Sequence, residues 1–118
     1  MEVTPRKIVR IGIPRGGGYA MGPGKADLLE AIHATGSISA AGRSLSMSYR
    51  RAWLLVDEMN HAFATPLVEA HLGGAGGGGA RVTDLGHEAL RRYRALQDQA
   101  WTVLRTPYQD YLRLLKPE

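Results

Sequence analysis

The chain has 118 residues, 44% hydrophobic and 22% charged, carries a net charge of +4, and contains no cysteine. That length is one domain's worth, with little room for a separate catalytic domain, and the missing cysteines exclude disulfides, thiolate metal sites and thiol nucleophiles. No apolar run approaches the roughly 18 residues of a membrane-spanning helix, and MEVTPRKIVRIGIP at the N-terminus has no signal-peptide core, so a cytoplasmic protein with no membrane partner is expected.

The positive excess lies in the N-terminal half. Residues 1–53 hold Arg6, Lys7, Arg10, Arg15, Lys25, Arg43, Arg50 and Arg51 against only Glu2, Asp27 and Glu30. Such a surface attracts phosphate backbones or anionic membranes, although a mildly basic domain that binds no anion has the same composition.

Taken in chain order, KIVRIGIP (7–14) alternates charged and apolar residues and stops at Pro14, which predicts a short half-buried strand with Ile8 on one face. Arg15 to Gly24 is Gly-rich and reads as a loop. From Lys25 to Thr35, Leu28, Leu29 and Ile32 recur at helical spacing and Gly36 supplies a stop. A short second helix follows, capped by Ser37 or Ser39 and carrying Ala40, Ala41, Gly42 and Leu45. Ser46-Met47-Ser48 is a tight break, and Ser48 caps a third helix running to about Ala64, before Thr65-Pro66.

LVEAHL (67–72) and ARVT (80–83) read as strands around GGAGGGG (73–79), a segment that is either a hairpin tip or a site of close backbone approach. Thr83 caps a long helix whose start suits Asp84 and Glu88. Pro107 ends or kinks it, and Tyr108 to Lys116 forms a last short helix. The predicted order is β-α-α-α-β-β-α.

Two helices joined by a tight turn, then a hairpin, make a winged helix-turn-helix. The requirements on residues 37–60 are specific. Ala41 and Gly42 let the two helices approach, Ser46 takes the left-handed place in the turn, and Met47 plugs it. Ala52, Leu55, Val56 and Met59 form the inward stripe of the second helix. Its outward N-terminal face holds Ser48, Tyr49, Arg50 and Arg51. Arg can donate bidentately to guanine O6 and N7 in the major groove, while hydroxyls and helix N-terminal amides suit phosphates. Arg50 and Arg51 could equally be a solvated surface pair were they not at the start of this helix. Trp53 is either a packing residue or a base contact.

Competing motifs fail. Gly74 to Gly79 matches G-x-G-x-x-G, but a strand and not a helix follows it. GPGK (22–25) lacks the first P-loop Gly, where Tyr19 stands, and Ala26 replaces the metal-binding hydroxyl. His33, His61, His71 and His87 show no metal-ligand spacing, and no catalytic constellation stands out, so no enzyme activity, metal or cofactor is expected.

SISAAGRSLSMSYRRAWLLVDEMN (37–60), LVEAHLGGAGGGGARVTDLG (67–86) and GPGKADLLEAIHATG (22–36) together resemble the DNA-binding domain of the molybdate-responsive, or ModE, regulator family, itself similar to LysR-type winged helix-turn-helix domains. The resemblance covers roughly residues 8–105, and MSYRRAW followed by a Gly-rich wing is its specific part. It implies an α+β winged helix, mostly helical with a small β wing, acting as a homodimeric transcriptional regulator of molybdenum-related genes. Ser46 and Gly42 stand where the family more often has Gly and Ala. Full-length members carry C-terminal molybdate-binding domains that this chain lacks, so direct molybdate binding is not expected.

The sequence therefore predicts one domain over 1–118, with a core at 8–83 and a helical dimerisation segment at 84–116. In that segment Ala89, Tyr93, Leu96, Ala100 and Val103 recur as a seam for a partner helix, or as a stripe packed on its own domain. The predicted partner is double-stranded DNA, contacted by Ser37, Ser48, Tyr49, Arg50, Arg51, Trp53 and Arg81. The alternative is a winged-helix interaction module without direct DNA readout.

Overall fold

In the computed structural model, which describes residues 5–71 and 79–118, nine elements follow one another. They are α1 (Pro5–Ile8), β1 (Ile13–Arg15), β2 (Gly18–Met21), α2 (Pro23–Thr35), α3 (Ile38–Ser44), α4 (Tyr49–Ala62), β3 (Val68–His71), β4 (Gly79–Val82) and α5 (Asp84–Leu112). The fold is α+β, mostly helical with two separate antiparallel two-stranded sheets. No helix among the described residues is long and apolar enough to cross a membrane.

The N-terminal expectations need correction. Residues predicted to form a strand at 7–14 instead begin with a single helical turn, closed by Val9 N donating to Pro5 O at 2.7 Å. Proline is pre-set for a first helical position, which explains the start at Pro5. The predicted loop Arg15–Gly24 contains β2. Gly16 adopts φ +59° at the tip, and β1 pairs with β2 through Arg15↔Gly18 and Ile13↔Met21. Glycine takes that left-handed turn without a Cβ penalty, so the Gly-rich stretch closes a hairpin.

The next three helices match the periodicity. Pro23 opens α2, and Gly36 ends it at φ +69°, its N–H donating to Ile32 O. Leu28, Leu29 and Ile32 of α2 are fully buried against Ile38 and Ala41 of α3, Ala52, Leu55, Val56 and Met59 of α4, and Leu67 and Val82 of the second hairpin. Asn60 fastens that hairpin to the end of α4. Its Oδ1 accepts from the N–H groups of Leu67 and Val68 at 2.9 and 3.1 Å, and its Nδ2 donates to Val68 O. On the other side Ala80 N donates to Gly36 O at 2.9 Å.

Helix α5 corrects a further expectation. Thr83 is its N-cap, accepting from Gly86 N at 3.0 Å and donating to Pro66 O. Pro107, however, lies inside the helix, which continues to Leu112, so no separate final helix forms. The proline deprives the Val103 carbonyl of its amide partner, but Val103 is exposed and water can serve it. The Trp101 and Tyr108 rings meet edge-on at 5.4 Å, bracing the helix across the proline.

The first half of α5 packs on its own domain. Tyr93 belongs to the core and its hydroxyl donates to Ile11 O at 2.7 Å. Gln97 is fully buried, donating to Val9 O and accepting from Arg94. Arg94 also reaches Asp27 at 2.9 Å and Glu30 at 2.7 Å on α2. Burial alone would lower the Arg94 pKa, but these two carboxylates outweigh it and raise it above the ordinary arginine value. Of the predicted seam, Tyr93 thus faces inward, while Leu96 and Val103 are exposed.

Candidate nucleic-acid interface

The candidate surface is built around the turn between α3 and α4. The Gly42 carbonyl accepts from both Leu45 N and Met47 N, at 3.1 and 2.8 Å. That double closure puts Ser46 at φ +58°, the left-handed position expected of it. A Cβ on Gly42 would stand 3.0 Å from the Ala52 Cβ, so the close approach of the two helices depends on a small residue there. Met47 is half-buried against the core.

Ser48 and Ser37 are both N-caps. Ser48 Oγ accepts from Arg51 N at 3.1 Å, and Ser37 Oγ accepts from Ala40 N at 3.1 Å. The cap on α4 leaves the amides of Tyr49 and Arg50, which have no intrahelical acceptor, facing outward at the positive end of the helix. Tyr49, Arg50 and Arg51 are exposed on this first turn. Among the described residues neither arginine has a carboxylate within ion-pair distance, in contrast to Arg6, Arg81, Arg91, Arg92, Arg94 and Arg113.

Charge divides α4 along its length. Its first two turns carry Arg50 and Arg51; further on, Asp57 and Glu58 are exposed. An anionic polymer is therefore attracted to the N-terminal half and repelled by the C-terminal half. Leu54, one turn beyond Arg50, is 52% exposed and was not among the predicted contacts. Its i, i+4 relation to Arg50 was the available signal, and an exposed aliphatic side chain on such a face suits a thymine methyl.

Two predicted residues are held differently from the rest. Arg81 sits opposite Glu69 in the β3–β4 register and pairs with it at 2.9 Å, so a phosphate contact would have to displace that carboxylate. Trp53 is half-buried, edge-on to Tyr49 at 6.2 Å. The Gly-rich tip expected to be the wing's contact surface lies, except for Gly79, outside the described residues.

Other sequence signals resolve into structure. Lys25 of GPGK is buried, its ammonium donating to the Tyr19 carbonyl and lying 3.8 Å from Glu58. It is therefore a packing cation. Among the described residues no group of three or more His, Asp or Glu could hold a metal ion. His33 and His87 meet edge-on at 4.7 Å between α2 and α5.

Sequence comparison finds relatives among the ModE and Mop proteins. The chain is 38% identical over 99 residues to the molybdenum transport protein ModE of Azotobacter vinelandii, covering 84% of this chain and 37% of that protein. It is 45% identical over 80 residues to the molybdenum-pterin-binding protein MopB of Rhodobacter capsulatus, covering 68% and 30%. With the DNA-binding transcriptional dual regulator ModE of Escherichia coli strain K12 it shares 39% over 85 residues, covering 70% and 32%. This chain is homologous to one segment of the ModE and Mop proteins. It spans about a third of the length of the curated relatives it matches. No protein-family model matches it. Because MopA and MopB are named for binding molybdenum-pterin, homology to the ModE and Mop proteins does not support the expectation that direct molybdate binding is absent.

Proposed function

We propose that this chain is a non-enzymatic, ModE-type winged helix-turn-helix domain that binds double-stranded DNA and regulates transcription, molybdenum-related genes being the first candidates. In this reading α3 and α4 are the helix-turn-helix, β3–β4 is the wing, and the first two turns of α4 enter the major groove. Arg50 and Arg51 read base edges, Ser48, Tyr49 and the free amides of α4 hold phosphates, and Ser37 and Arg81 flank the groove. The observation that carries the reading is the pair of exposed arginines on the capped first turn of α4, neither ion-paired among the described residues.

The same reading includes a homodimer. The distal half of α5 exposes Val103, Leu104, Tyr111 and Leu112, which a partner helix would cover. Two copies would then present their α4 helices to successive turns of a palindromic site, about 34 Å apart.

The test is binding to duplexes selected from genomic DNA. Arg50→Ala and Arg51→Ala should each weaken binding by about 1–3 kcal/mol, and affinity should fall steeply with salt. If both variants bind as the parent does, base readout by α4 is wrong. If no duplex is selected at all while the chain dimerises through α5, the module is one of protein interaction.

A further inference from the structure

The buried stripe of α4 fixes which of its residues lie farthest from the core. Ala52, Leu55, Val56 and Met59 are buried. At about 3.6 residues per turn, the line opposite them runs through Arg50, Leu54, Asp57 and His61. All four are exposed. A helix laid in a groove with its core stripe outward inserts this ridge deepest.

Leu54 stands apart on the ridge. It belongs neither to the core nor to the half-buried hydrophobics packed against it. Every other exposed large aliphatic side chain among the described residues lies at or beyond Leu96, on α5 and the residues after it. A lone exposed leucine is ordinary on a protein surface. This one shares its ridge with Arg50 and lies beside Arg51, and neither arginine has a carboxylate within ion-pair distance among the described residues.

The chemistry of the major groove limits what such a side chain can meet. Base edges there are hydrogen-bond donors and acceptors, with one apolar exception, the C5 methyl of thymine. Against a polar edge Leu54 would displace water and return no hydrogen bond, which is unfavourable. Against the methyl, both apolar groups leave water together. Arg50 instead suits the O6 and N7 acceptors of guanine.

Spacing links the two contacts. Arg50 and Leu54 are four residues apart, a rise of about 6 Å along α4 at about 1.5 Å per residue. Stacked bases are about 3.4 Å apart along a strand, so the two contacts fall within about two base pairs of each other. Asp57, next on the ridge, is an exposed carboxylate that the phosphates repel, so the readout ends at Leu54.

We propose that Arg50 and Leu54 form a reading ridge that specifies a guanine and, within about two base pairs of it, a thymine recognised by its C5 methyl. The proposal rests on the DNA-binding reading and deepens it by naming the bases. Cytosine at the thymine position is rejected twice, by the missing methyl and by an N4 donor left without an acceptor.

The experiment uses the full chain and a duplex recovered by selection. The duplex is resynthesised with deoxyuridine for each thymine and 7-deazaguanine for each guanine, one position at a time. The first analogue removes only the methyl, the second only the N7 acceptor. At one thymine the loss of the methyl should weaken the parent about fourfold, the scale of one buried methyl group. Leu54→Ala should be indifferent to that change. Leu54 is exposed and alanine is a strong helix former, so this variant keeps the fold. Arg50→Ala should stay sensitive at that thymine and lose its sensitivity at one guanine within about two base pairs of it. The reading ridge is overturned if no thymine responds, if Leu54→Ala responds as the parent does, or if the two positions lie farther apart. The DNA-binding reading then still stands, provided Arg50→Ala or Arg51→Ala weakens binding. If both arginine variants bind as the parent does, or if no duplex is selected, both fall.

Discussion

Replacing Ser46 by glycine should make the protein more stable. Ser46 holds φ +58° in the α3–α4 turn, a conformation that brings the Cβ of an L residue against the backbone and costs about 1–2 kcal/mol. Glycine escapes that penalty but gives up about 0.5–1 kcal/mol more backbone entropy on folding. The side chain of Ser46 is exposed and makes no hydrogen bond among the described residues, so its removal loses no contact. The difference is a gain of about 0.5–1 kcal/mol, or a few degrees in Tm for a chain of this size. Urea unfolding followed by circular dichroism measures it, with an unchanged slope showing that the two end states are the same. Ser46→Val, β-branched at a left-handed position, should lose about 1–3 kcal/mol. A Ser46→Gly protein less stable than its parent, or a Ser46→Val protein equal to it, would refute the claim that backbone strain resides in this turn.

Other substitutions probe the frame around the interface. Gly86→Ala would place a Cβ 2.3 Å from Leu67 O and 2.6 Å from Val82 Cγ1; since a backbone atom cannot step aside, thermal melts should show a loss of about 1–3 kcal/mol or more. Gln97→Leu strands the Val9 carbonyl and one Arg94 N–H in a dry site, and chemical denaturation should report a loss of about 2–4 kcal/mol. Tyr93→Phe removes the bond to Ile11 O and should cost about 1 kcal/mol near neutrality. The same variant has a pH signature. Burial, partly offset by the bond to Ile11, raises the Tyr93 pKa above its ordinary 10.0. The unfolded chain therefore ionises first, and this contribution is present below pH 10.0 and lost as pH rises through the folded value. Stability measured into that alkaline range should fall less steeply in Tyr93→Phe than in the parent.

What the sequence reveals follows the range of each interaction. Ser37, Ser48 and Thr83 were legible as caps because each hydroxyl bonds an amide three residues away. The inward stripe of α4 was legible for the same local reason, since Ala52, Leu55, Val56 and Met59 repeat with the helix. The first hairpin was hidden because its glycines signal a turn without saying that Gly18 to Met21 pair back on Ile13 to Arg15. Continuation of α5 through Pro107 depends on solvent around Val103 and on the Trp101–Tyr108 pair, neither of which periodicity encodes. Arg94 and Gln97 carried no sequence signal of burial, because their partners Asp27, Glu30 and Val9 lie more than sixty residues away. On the candidate surface, the exposure of Arg50 and Arg51 on the first turn of α4 was legible from their place behind the turn.

The clasp formed by Tyr93, Arg94 and Gln97 makes α5 a lever with its fulcrum near the base. Fifteen residues separate Gln97 from Leu112, an arm of about 22 Å at 1.5 Å per residue. A tilt of about 10° at the clasp would sweep the tip through about 4 Å, and the same small angle, driven from the tip, would be delivered through Asp27 and Glu30 to α2, which packs against α3 and α4. Whatever grips the far end of this helix therefore has mechanical leverage over how α2 is set against α3 and α4.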